Sequence, residues 1–534
     1  MSLEAGEYEL SVRGDLGAAR ACFEAAYQEA HEPESTAAAA LGLSGLWVHE
    51  HRTVSEAATV RGRQVRALSL IDAGSPLALR LRARLAAEED YRAGSHTAIL
   101  ALLPQVRRYG DAVALAEALR MAYHCAMGPP HGELRAALVT ELIAQAPRTG
   151  RRCDPLMASL LRTVDLFMAG DPGAKRALGE LRSHLTAADH LAAGFVAAGL
   201  EVMLAIRSGR LRHAEQLASA CARLGAAAGD HSVQARHLGQ LATIRWYQGR
   251  IGELVPLLSE LVNSRLLGAT DNSFFAILAA AAATVGQRRL AKTMLARLCG
   301  RDLAAIPRTS SWLVTMYCVA EAAFLLRDAT ISAQAYPLLA PYAHLPVLAS
   351  FGVTCLGSVQ HALGVLALTG GDSEAAVEHL RAAVQDNLAL GHAPAAALSR
   401  ARLAQARTLA SGGAVTLPSE EPALVLRRQG GGWRLAMNDR AMFVAHSVGM
   451  DHLARLLASP GRPIAAGDLA AAARPESRPG DGERVRIAVG RAIRRALDRV
   501  TETDPAIGAT LRARITTGAT CCYRGTGPSS WPFG

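Results

Sequence analysis

Alanine and leucine recur along the first 400 or so residues at positions i, i+3, i+4 and i+7, the spacing that gives a helix one apolar face. Each run follows a glycine or a charged residue that is typical of a turn. The clearest runs start at Gly14, Gly170, Gly209, Gly249, Gly286 and Gly371, and weaker ones start near Arg52, Gly94, Gly132 and Arg327. The mean spacing of these starts is about 40 residues, which indicates a repeat of two helical segments.

A helical hairpin of this length cannot bury its apolar stripe alone, so it stacks on its neighbours. The pattern therefore predicts an α-α superhelix, a tetratricopeptide-like solenoid, over residues 1–408. In each unit we expect the glycine at the turn between the two helices. There it adopts the left-handed conformation that ends the first helix.

A different pattern begins after residue 408. Residues 409–422 contain prolines and glycines but no helical period, which predicts a linker. Beyond the linker, alternation and capping signals predict three strands, a helix, a short strand and a second helix, at 424–427, 433–437, 441–445, 448–458, 462–466 and 467–473.

The most strongly amphipathic helix is expected at Glu483–Val500. Its core-facing stripe consists of Val485, Val489, Ile493, Ala496, Leu497 and Val500. The opposite face consists of Arg484, Arg491, Arg495 and Arg499, with Arg494 at its flank. A short helix over 505–511, capped by Asp504, and a β-hairpin from Leu511 to Arg524 that turns at Gly518 are expected to follow.

Basic residues concentrate in this last segment. Residues 483–524 contain nine arginines and four acidic residues, and so carry +5 of the formal net charge of +10. Only Lys175 and Lys292 of the 57 basic residues in the chain are lysines. Arginine is a good phosphate binder, but so one-sided a ratio is explained more simply by genome base composition. The clustering on one helix face, rather than the ratio, indicates a phosphate-binding surface.

The composition favours packed helices in a reducing compartment. Half of the residues are hydrophobic but only 4% are aromatic, which argues against a β-sandwich or barrel. The nine cysteines are scattered and form no CxxC pair. The chain starts without the features of a signal peptide, and its apolar runs fall short of the ~20 residues of a membrane span. We therefore expect a soluble, cytoplasmic protein with no membrane contact.

Two resemblances follow from these motifs. The repeated Gly-Asp or Gly-Arg turns resemble tetratricopeptide repeats, and most of all the divergent repeats in the sensor region of large ATP-binding regulators of the MalT kind. Residues 458–469, 485–497 and 515–523 are similar to the central segment, the recognition helix and the wing of the OmpR-type DNA-binding domain. This second resemblance covers about a fifth of the chain and implies a small α+β winged helix-turn-helix domain over 423–527. The extra helix 505–511 and the adjacent Cys521 and Cys522 depart from that family.

Four short motifs lack features that a catalytic or ligand-binding site requires. Residues 286–293 come close to a P-loop, but Ala291 replaces a glycine and the run is expected to start a helix after a helix. His49–His51 lacks the spacing of a zinc-binding helix, and Gly42–Gly45 lacks that of a nucleophile elbow. Cys521 and Cys522 should point to opposite faces of a strand. We therefore expect no enzymatic activity, no cofactor and no metal.

The sequence as a whole predicts a mainly α transcriptional regulator. Its superhelix would sense a peptide, a protein or a small molecule in its groove, and its winged helix would bind double-stranded DNA, as a monomer or a homodimer. The tail 528–534, with Trp531 and Phe533, is expected to be disordered. The expected DNA contacts are Arg484, Arg491 and Arg495 in the major groove, Arg494 and Arg499 on phosphates, and Arg512, Arg514, Thr516 and Arg524 on the wing side.

Three alternatives stay open at this point. The arginine face could be an ordinary solvated surface in an arginine-rich protein. The protein could be a non-catalytic binding scaffold whose winged helix serves as a docking module. An enzyme with its site in the groove is the third.

Overall fold

The structure is a computed structural model that is mainly helical, with 75% of the chain in helices, so the predicted mainly α class is confirmed. The chain divides into two compact units, residues 1–280 with 294–413 and residues 281–293 with 414–534. The structure describes residues 3–48, 53–185, 190–263, 272–300, 302–411, 424–437, 440–459, 461–473 and 482–524. The predicted linker, the His49–His51 motif and the tail with Trp531 and Phe533 lie wholly or mostly outside these residues.

Twenty-one α-helices are described before residue 411, and most helices that are consecutive in the chain pack on each other. They are α1 Leu3–Tyr8, α2 Leu16–Glu29, α3 Pro33–Gly42, α4 Val54–Leu68, α5 Pro76–Ala93, α6 Thr97–Tyr109, α7 Ala112–Cys125, α8 Gly132–Gln145, α9 Cys153–Met168, α10 Ala174–His184, α11 Leu191–Arg207, α12 Leu211–Ala227, α13 Val233–Tyr247, α14 Val255–Asn263, α15 Ser273–Thr284, α16 Arg288–Cys299, α17 Trp312–Leu326, α18 Ala329–Leu339, α19 Val359–Gly370, α20 Ser373–Ala389 and α21 Ala393–Ala410.

The predicted turn residues lie between helices. Seven of the eight predicted turn glycines have positive φ, and so does Arg327 at 56°; the glycines are Gly14, Gly94, Gly170, Gly209, Gly249, Gly286 and Gly371. The aspartate after the turn starts the next helix: the Asp15 and Asp372 carboxylates accept the backbone N–H groups of Ala18 and Ala375 at 2.8 and 3.0 Å. Such capping satisfies a helical N–H group that has no partner within the helix.

The prediction for Gly132 is wrong. Its φ is −56° and it is the first residue of α8. The turn before it is a 3₁₀ segment, Pro129–His131, that starts with two prolines. Because proline fixes φ near −65°, these residues make the turn without a left-handed glycine. The start near Arg52 lies outside the described residues.

A β-hairpin that the sequence analysis did not predict interrupts the helices. Strand β1 (Pro346–Ala349) pairs antiparallel with β2 (Thr354–Ser358), and every residue of β2 is buried. Leu348, Phe351 and Cys355 belong to the same apolar core as residues of α2 and of α5 to α11. The Leu16 N–H at the start of α2 also donates to the Ala228 carbonyl at 2.8 Å. Residues far apart in sequence are therefore packed within the first unit.

The C-terminal part of the chain combines four helices with two small antiparallel sheets. The elements are β3 Leu424–Gln429, β4 Gly432–Met437, β5 Arg440–Ala445, α22 Val448–Ala458, β6 Ile464–Ala465, α23 Ala466–Ala473, α24 Gly482–Thr503, α25 Pro505–Arg514, β7 Ile515–Thr516 and β8 Thr520–Tyr523. One sheet has the order β3-β4-β5 and the other β6-β8-β7. This order agrees with the predicted sequence of strands and helices, with boundaries shifted by a few residues.

These elements enclose an apolar core of their own. It combines residues of α22, α24, α25 and the strands, among them Leu435, Met450, Leu453, Leu456, Val489, Ile493, Leu497, Ile507, Leu511 and Tyr523. Burial of each large aliphatic side chain is worth ~1.5 to 3 kcal/mol relative to exposure. Of the predicted stripe on α24, only Val485 is half-buried and the other five are buried.

The hairpin predicted to begin at Leu511 begins later, at Ile515. Residues up to Arg514 continue α25, which Asp504 caps by accepting the Ile507 N–H group at 3.1 Å. Ile507 and Leu511 are both fully buried, and their i, i+4 spacing places them on one helix face. The burial of this pair explains why helix extends through Arg514.

Candidate functional site

Helix α24 presents a row of exposed arginines opposite the stripe that it buries. Val489, Ile493 and Val500 are at most 2% exposed. The exposed arginines are Arg484, Arg491, Arg494, Arg495 and Arg499. We call these five residues the basic face. Packing of the apolar stripe against the core fixes the orientation of this helix about its axis. The arginines therefore lie on its other side.

No carboxylate within the described residues pairs with the basic face. Two of its guanidinium groups donate to carbonyls of their own helix: Nε of Arg494 donates to the Gly490 carbonyl at 3.2 Å and Nε of Arg495 to the Arg491 carbonyl at 3.4 Å. Like charges on one helix face repel each other. An anion placed against this face would relieve the repulsion and gain several charge-assisted hydrogen bonds.

Two arginines beside the basic face are already paired. Glu483 accepts from Nε of Arg486 at 2.8 Å in the first turn of α24. Arg512 forms an ion pair with Asp498, and its Nε donates to the Thr501 hydroxyl at 3.2 Å. The expectation that Arg512 lies on the hairpin is wrong, because it lies on α25 and links that helix to α24.

The remaining predicted contacts gather near the β7–β8 hairpin. The backbone N–H of Arg524 donates to the Arg514 carbonyl at 2.7 Å, so these two arginines lie opposite each other. Thr516 is exposed on β7, and its hydroxyl donates to the Cys522 carbonyl at 3.4 Å. Arg514 lies on α25 and is half-buried, whereas Arg524 is exposed. Only Thr516 of these three occupies a strand position as predicted.

Sequence reasoning missed Ile487. Its side chain is 39% exposed, and it lies three residues after Arg484 and four before Arg491. These spacings place it on the same helix face. An apolar residue on the polar side of the helical projection was the signal that could have identified it.

A second candidate site lies within the first unit, where several elements line a partly open cavity of about 1130 Å³. Its walls come from α4, α5, α7, α13, α15 and α17, together with the β1–β2 hairpin. On its solvent side are residues of α4, where Val54 is 86% exposed. The repeat pattern predicts a ligand groove in this unit but assigns no residue to it.

Helix α13 supplies a continuous wall of the cavity. Arg236, Gly239, Thr243 and Trp246 all line it. Their spacing of three and four residues places them on one face of the helix. The apolar part of the lining includes Phe274, Ile277, Val314, Val353 and Leu356.

Arg236 is the unusual group of this wall. It is 7% exposed and stacks over the Phe195 ring, with Cζ 4.9 Å from the ring centroid. Its Nε and Nη2 atoms have no hydrogen-bond acceptor in the described part of the protein. Burial lowers the pKa of Arg236, and the charge of Asp230 opposes this effect without an ion pair.

The other buried arginines show what Arg236 lacks. Within the described ranges, four of the six buried arginines contact a carboxylate, in the pairs Arg84–Glu88, Arg120–Asp154, Arg135–Asp165 and Arg402–Glu321, at 2.6, 3.8, 2.9 and 3.1 Å. Arg207 has no such pair, but its Nη2 donates to Sγ of Cys355 at 3.4 Å. Arg236 is the only one of the six that lines the large cavity.

The described motifs that resembled catalytic sites lie between two helices, in a turn and on a strand. Gly286 joins α15 to α16, so residues 286–293 follow a helix and enter a helix. Ser44 is buried and its hydroxyl accepts a hydrogen bond from Gln64. Cys521 is buried and Cys522 is half-buried, as predicted for adjacent strand positions.

The described residues contain no cluster of three metal-binding side chains. None of the helices described is both long enough and apolar enough to cross a bilayer. Comparison with known proteins finds no matching family model and no matching curated protein.

Proposed function

We propose that the protein is a DNA-binding transcriptional regulator of the cytoplasm. A tetratricopeptide-like superhelix serves as its sensor and a winged helix-turn-helix as its DNA-binding domain. The observation that carries the proposal is the basic face of α24, which has five exposed arginines and no paired carboxylate in the described structure. The same side of α24 carries two acidic residues, Asp498 and Glu502, of which Asp498 pairs with Arg512. The five arginines leave an excess of positive charge, which favours a polyanion.

The arrangement around α24 supports this proposal. A three-stranded sheet, two helices with a short strand between them, a basic helix and a hairpin follow in the order of a winged helix-turn-helix. Strand β6 pairs with β8, which ties the segment before α23 to the hairpin. Helix α25 is the departure, because it stands between the basic helix and the hairpin.

The contacts that we assign divide into two kinds. Arg484, Arg491 and Arg495 reach base edges in the major groove, where a guanidinium recognises guanine through two parallel bonds. Arg494 and Arg499 bind flanking phosphates. Arg514, Thr516 and Arg524 lie near the hairpin and contact the backbone of the DNA. Arg512 remains bound to Asp498 and positions α25.

The proposal is tested with the full-length protein and a labelled random-sequence duplex, by fluorescence anisotropy at about 50 and 200 mM salt. We expect binding that weakens steeply with salt. Replacing Arg491 and Arg495 by alanine should abolish binding, because both guanidinium groups contact base edges in the proposed complex. Both residues are exposed, so the melting temperature should be unchanged.

Arg427 and Arg428 on β3 provide the matched control. Both are exposed, and their double alanine variant changes the net charge by the same amount. It should bind duplex DNA like the wild type. Equal binding by the α24 double variant and the wild type would refute the assignment of the basic face.

The large cavity favours a second candidate function, a ligand-binding scaffold whose C-terminal unit docks on another protein. A buried arginine without a carboxylate partner is expected in a ligand site rather than in a purely structural core. The same anisotropy experiment separates the two functions. A wild-type protein that binds a ligand in the cavity but no duplex at low salt is a scaffold.

A further inference from the structure

The buried charged groups that line the cavity of the first unit differ in whether they have hydrogen-bond partners. Glu88 lines it but accepts from Nε of Arg84 at 2.6 Å. Asp230 also lines it, and its Oδ1 accepts from the backbone N–H and the hydroxyl of Ser232 at 2.7 and 2.6 Å. By contrast, no described residue accepts a hydrogen bond from Nε or Nη2 of Arg236. The negative groups of the wall are therefore engaged, and the buried positive group is not.

An unpaired buried charge is energetically unfavourable. The free energy that a guanidinium loses when water is removed is recovered only when another acceptor replaces the water. The ring of Phe195 supplies part of the compensation through a cation–π contact. It leaves the Nε and Nη2 donors without an acceptor among the described residues. A ligand carboxylate or sulfonate supplies the missing in-plane acceptor.

The other residues of the cavity wall determine the chemical character of the part of the ligand that lies away from Arg236. Near Arg236 on α13 are Gly239 and Ala242, whose small size leaves room beside the helix. Across the cavity lie apolar side chains, among them Phe274 and Val353. Pockets for drug-sized ligands have volumes of roughly 300 to 1,000 Å³. A cavity of about 1130 Å³ therefore accommodates an apolar body of that size.

We propose that this cavity binds an amphipathic organic acid, with its single anionic group on the Arg236 guanidinium and its apolar body against α15, α17 and the β1–β2 hairpin. The ligand enters past α4, where Val54 and Ala58 lie at the solvent side of the cavity. The inference rests on the sensor role proposed above for the superhelix. The acid is then the signal that the protein detects.

The test uses the full-length protein and dansyl-undecanoic acid, a fluorescent amphipathic acid, with its uncharged methyl ester as the matched ligand. We expect saturable fluorescence enhancement with the acid and a preference for it over the ester of about 10- to 100-fold, the range for a hydrogen bond to a charged group. Arg236→Met removes the charge and retains much of the side-chain volume. It should bind acid and ester equally.

Two further variants make the result decisive. Arg207→Met removes another buried arginine that stacks on a phenylalanine, Phe167, but does not line the cavity. It should retain the preference for the acid. Ala242→Phe fills the cavity from α13 and should weaken binding of both ligands, even if Arg236→Met does not fold.

Several results would overturn the inference. They are the absence of saturable acid binding, equal affinity of the wild type for acid and ester, and an unchanged preference in Arg236→Met. Duplex binding is measured by anisotropy on the same preparation, with and without the acid. A protein that binds duplex but not the acid refutes this inference alone, whereas one that binds the acid but not duplex refutes the proposed regulator and retains the ligand site.

Discussion

The ring of Phe351 packs against the ring of Trp47, with centroids 5.4 Å apart and planes tilted by 48°. The two residues lie at opposite ends of the first unit's sequence, and both are at most 2% exposed. His124 at the end of α7 completes the cluster, with its ring centroid 4.8 Å from that of Phe351. Through this cluster the turn of the β1–β2 hairpin contacts the N-terminal helices, so the first unit contains tertiary contacts that a linear stack of repeats would lack.

Replacing Phe351 by alanine should destabilise the first unit by about 3 to 5 kcal/mol, because it removes a fully buried ring and leaves a cavity among Trp47 and His124. Thermal unfolding followed by circular dichroism measures the effect. Tyr109→Ala is the control, since this aromatic residue on α6 is 46% exposed and its loss should cost under about 1 kcal/mol. Equal losses in the two variants would mean that the hairpin contact contributes nothing specific.

The fragment 423–527 should fold alone, because its helices and strands share one apolar core. A cooperative thermal transition and dispersed amide NMR signals are the expected observations. A shorter fragment that stops at residue 503 lacks Ile507, Leu511 and Tyr523, all at most 1% exposed, and should not unfold cooperatively. An unfolded longer fragment beside a folded fragment 1–408 would place the domain boundary elsewhere.

The stability of the first unit should fall as the pH drops below about 6.5. Burial lowers the pKa of His392 to about 3 in the folded protein. Its Nε2 donates to the Cys355 carbonyl at 3.0 Å, and its Nδ1 accepts the Ala395 N–H as the cap of α21. Protonation would remove that acceptor. The unfolded chain therefore takes up a proton that the folded chain resists, and stability is lost progressively between about pH 6.5 and pH 3.

The variant His392→Asn tests this pH dependence, because asparagine also caps helices but does not titrate. The decrease in melting temperature between pH 7 and pH 5 should be smaller in the variant than in the wild type. His190 caps α11 in the same way, and burial lowers its pKa to about 4, so part of the decrease should remain. Identical pH profiles of variant and wild type would exclude His392 as a source.

Replacing Ile487 by alanine should reduce base discrimination without reducing affinity for random duplex. An exposed apolar side chain among arginines can contact a thymine methyl group in the major groove. Selection of preferred sequences from a random pool, followed by competition, should show discrimination at one base pair reduced by about 1 kcal/mol. A uniform loss of affinity on every sequence would instead indicate that Ile487 supports the fold of α24.

Replacing Asp498 by alanine should strengthen binding to random duplex. The substitution removes a negative charge next to the basic face and releases Arg512 from its ion pair. If Arg512 then reaches a phosphate, the slope of log affinity against log salt increases by about 0.9, and adding Arg512→Ala reverses the increase. The ion pair is exposed, so the change in stability should stay below about 1 kcal/mol. An unchanged slope would mean that Arg512 does not contact the DNA in the Asp498→Ala variant.

Sequence reasoning succeeded where one local pattern decides the outcome. The stripe of α24 is buried as predicted, because an amphipathic helix has one way to bury its apolar face. The turn glycines are left-handed for an equally local reason, since glycine has no Cβ to clash there. It failed at Gly132, where two prolines make the turn, and at Arg512, where burial of Ile507 and Leu511 extends a helix into a predicted strand.

The sequence by itself determined the helical class, the turns between most helices, the order of elements after residue 423 and the exposed row of arginines on α24. Each follows from spacing within about 20 residues, over which the periods of helix and strand can be recognised. Only the tertiary structure decided that the β1–β2 hairpin packs against Trp47. It also decided that Arg236 lines a cavity and pairs with none of the carboxylates in the described part of the chain. Both depend on which distant segments meet, because burial and the pairing of a buried charge arise from contacts between residues far apart in the chain.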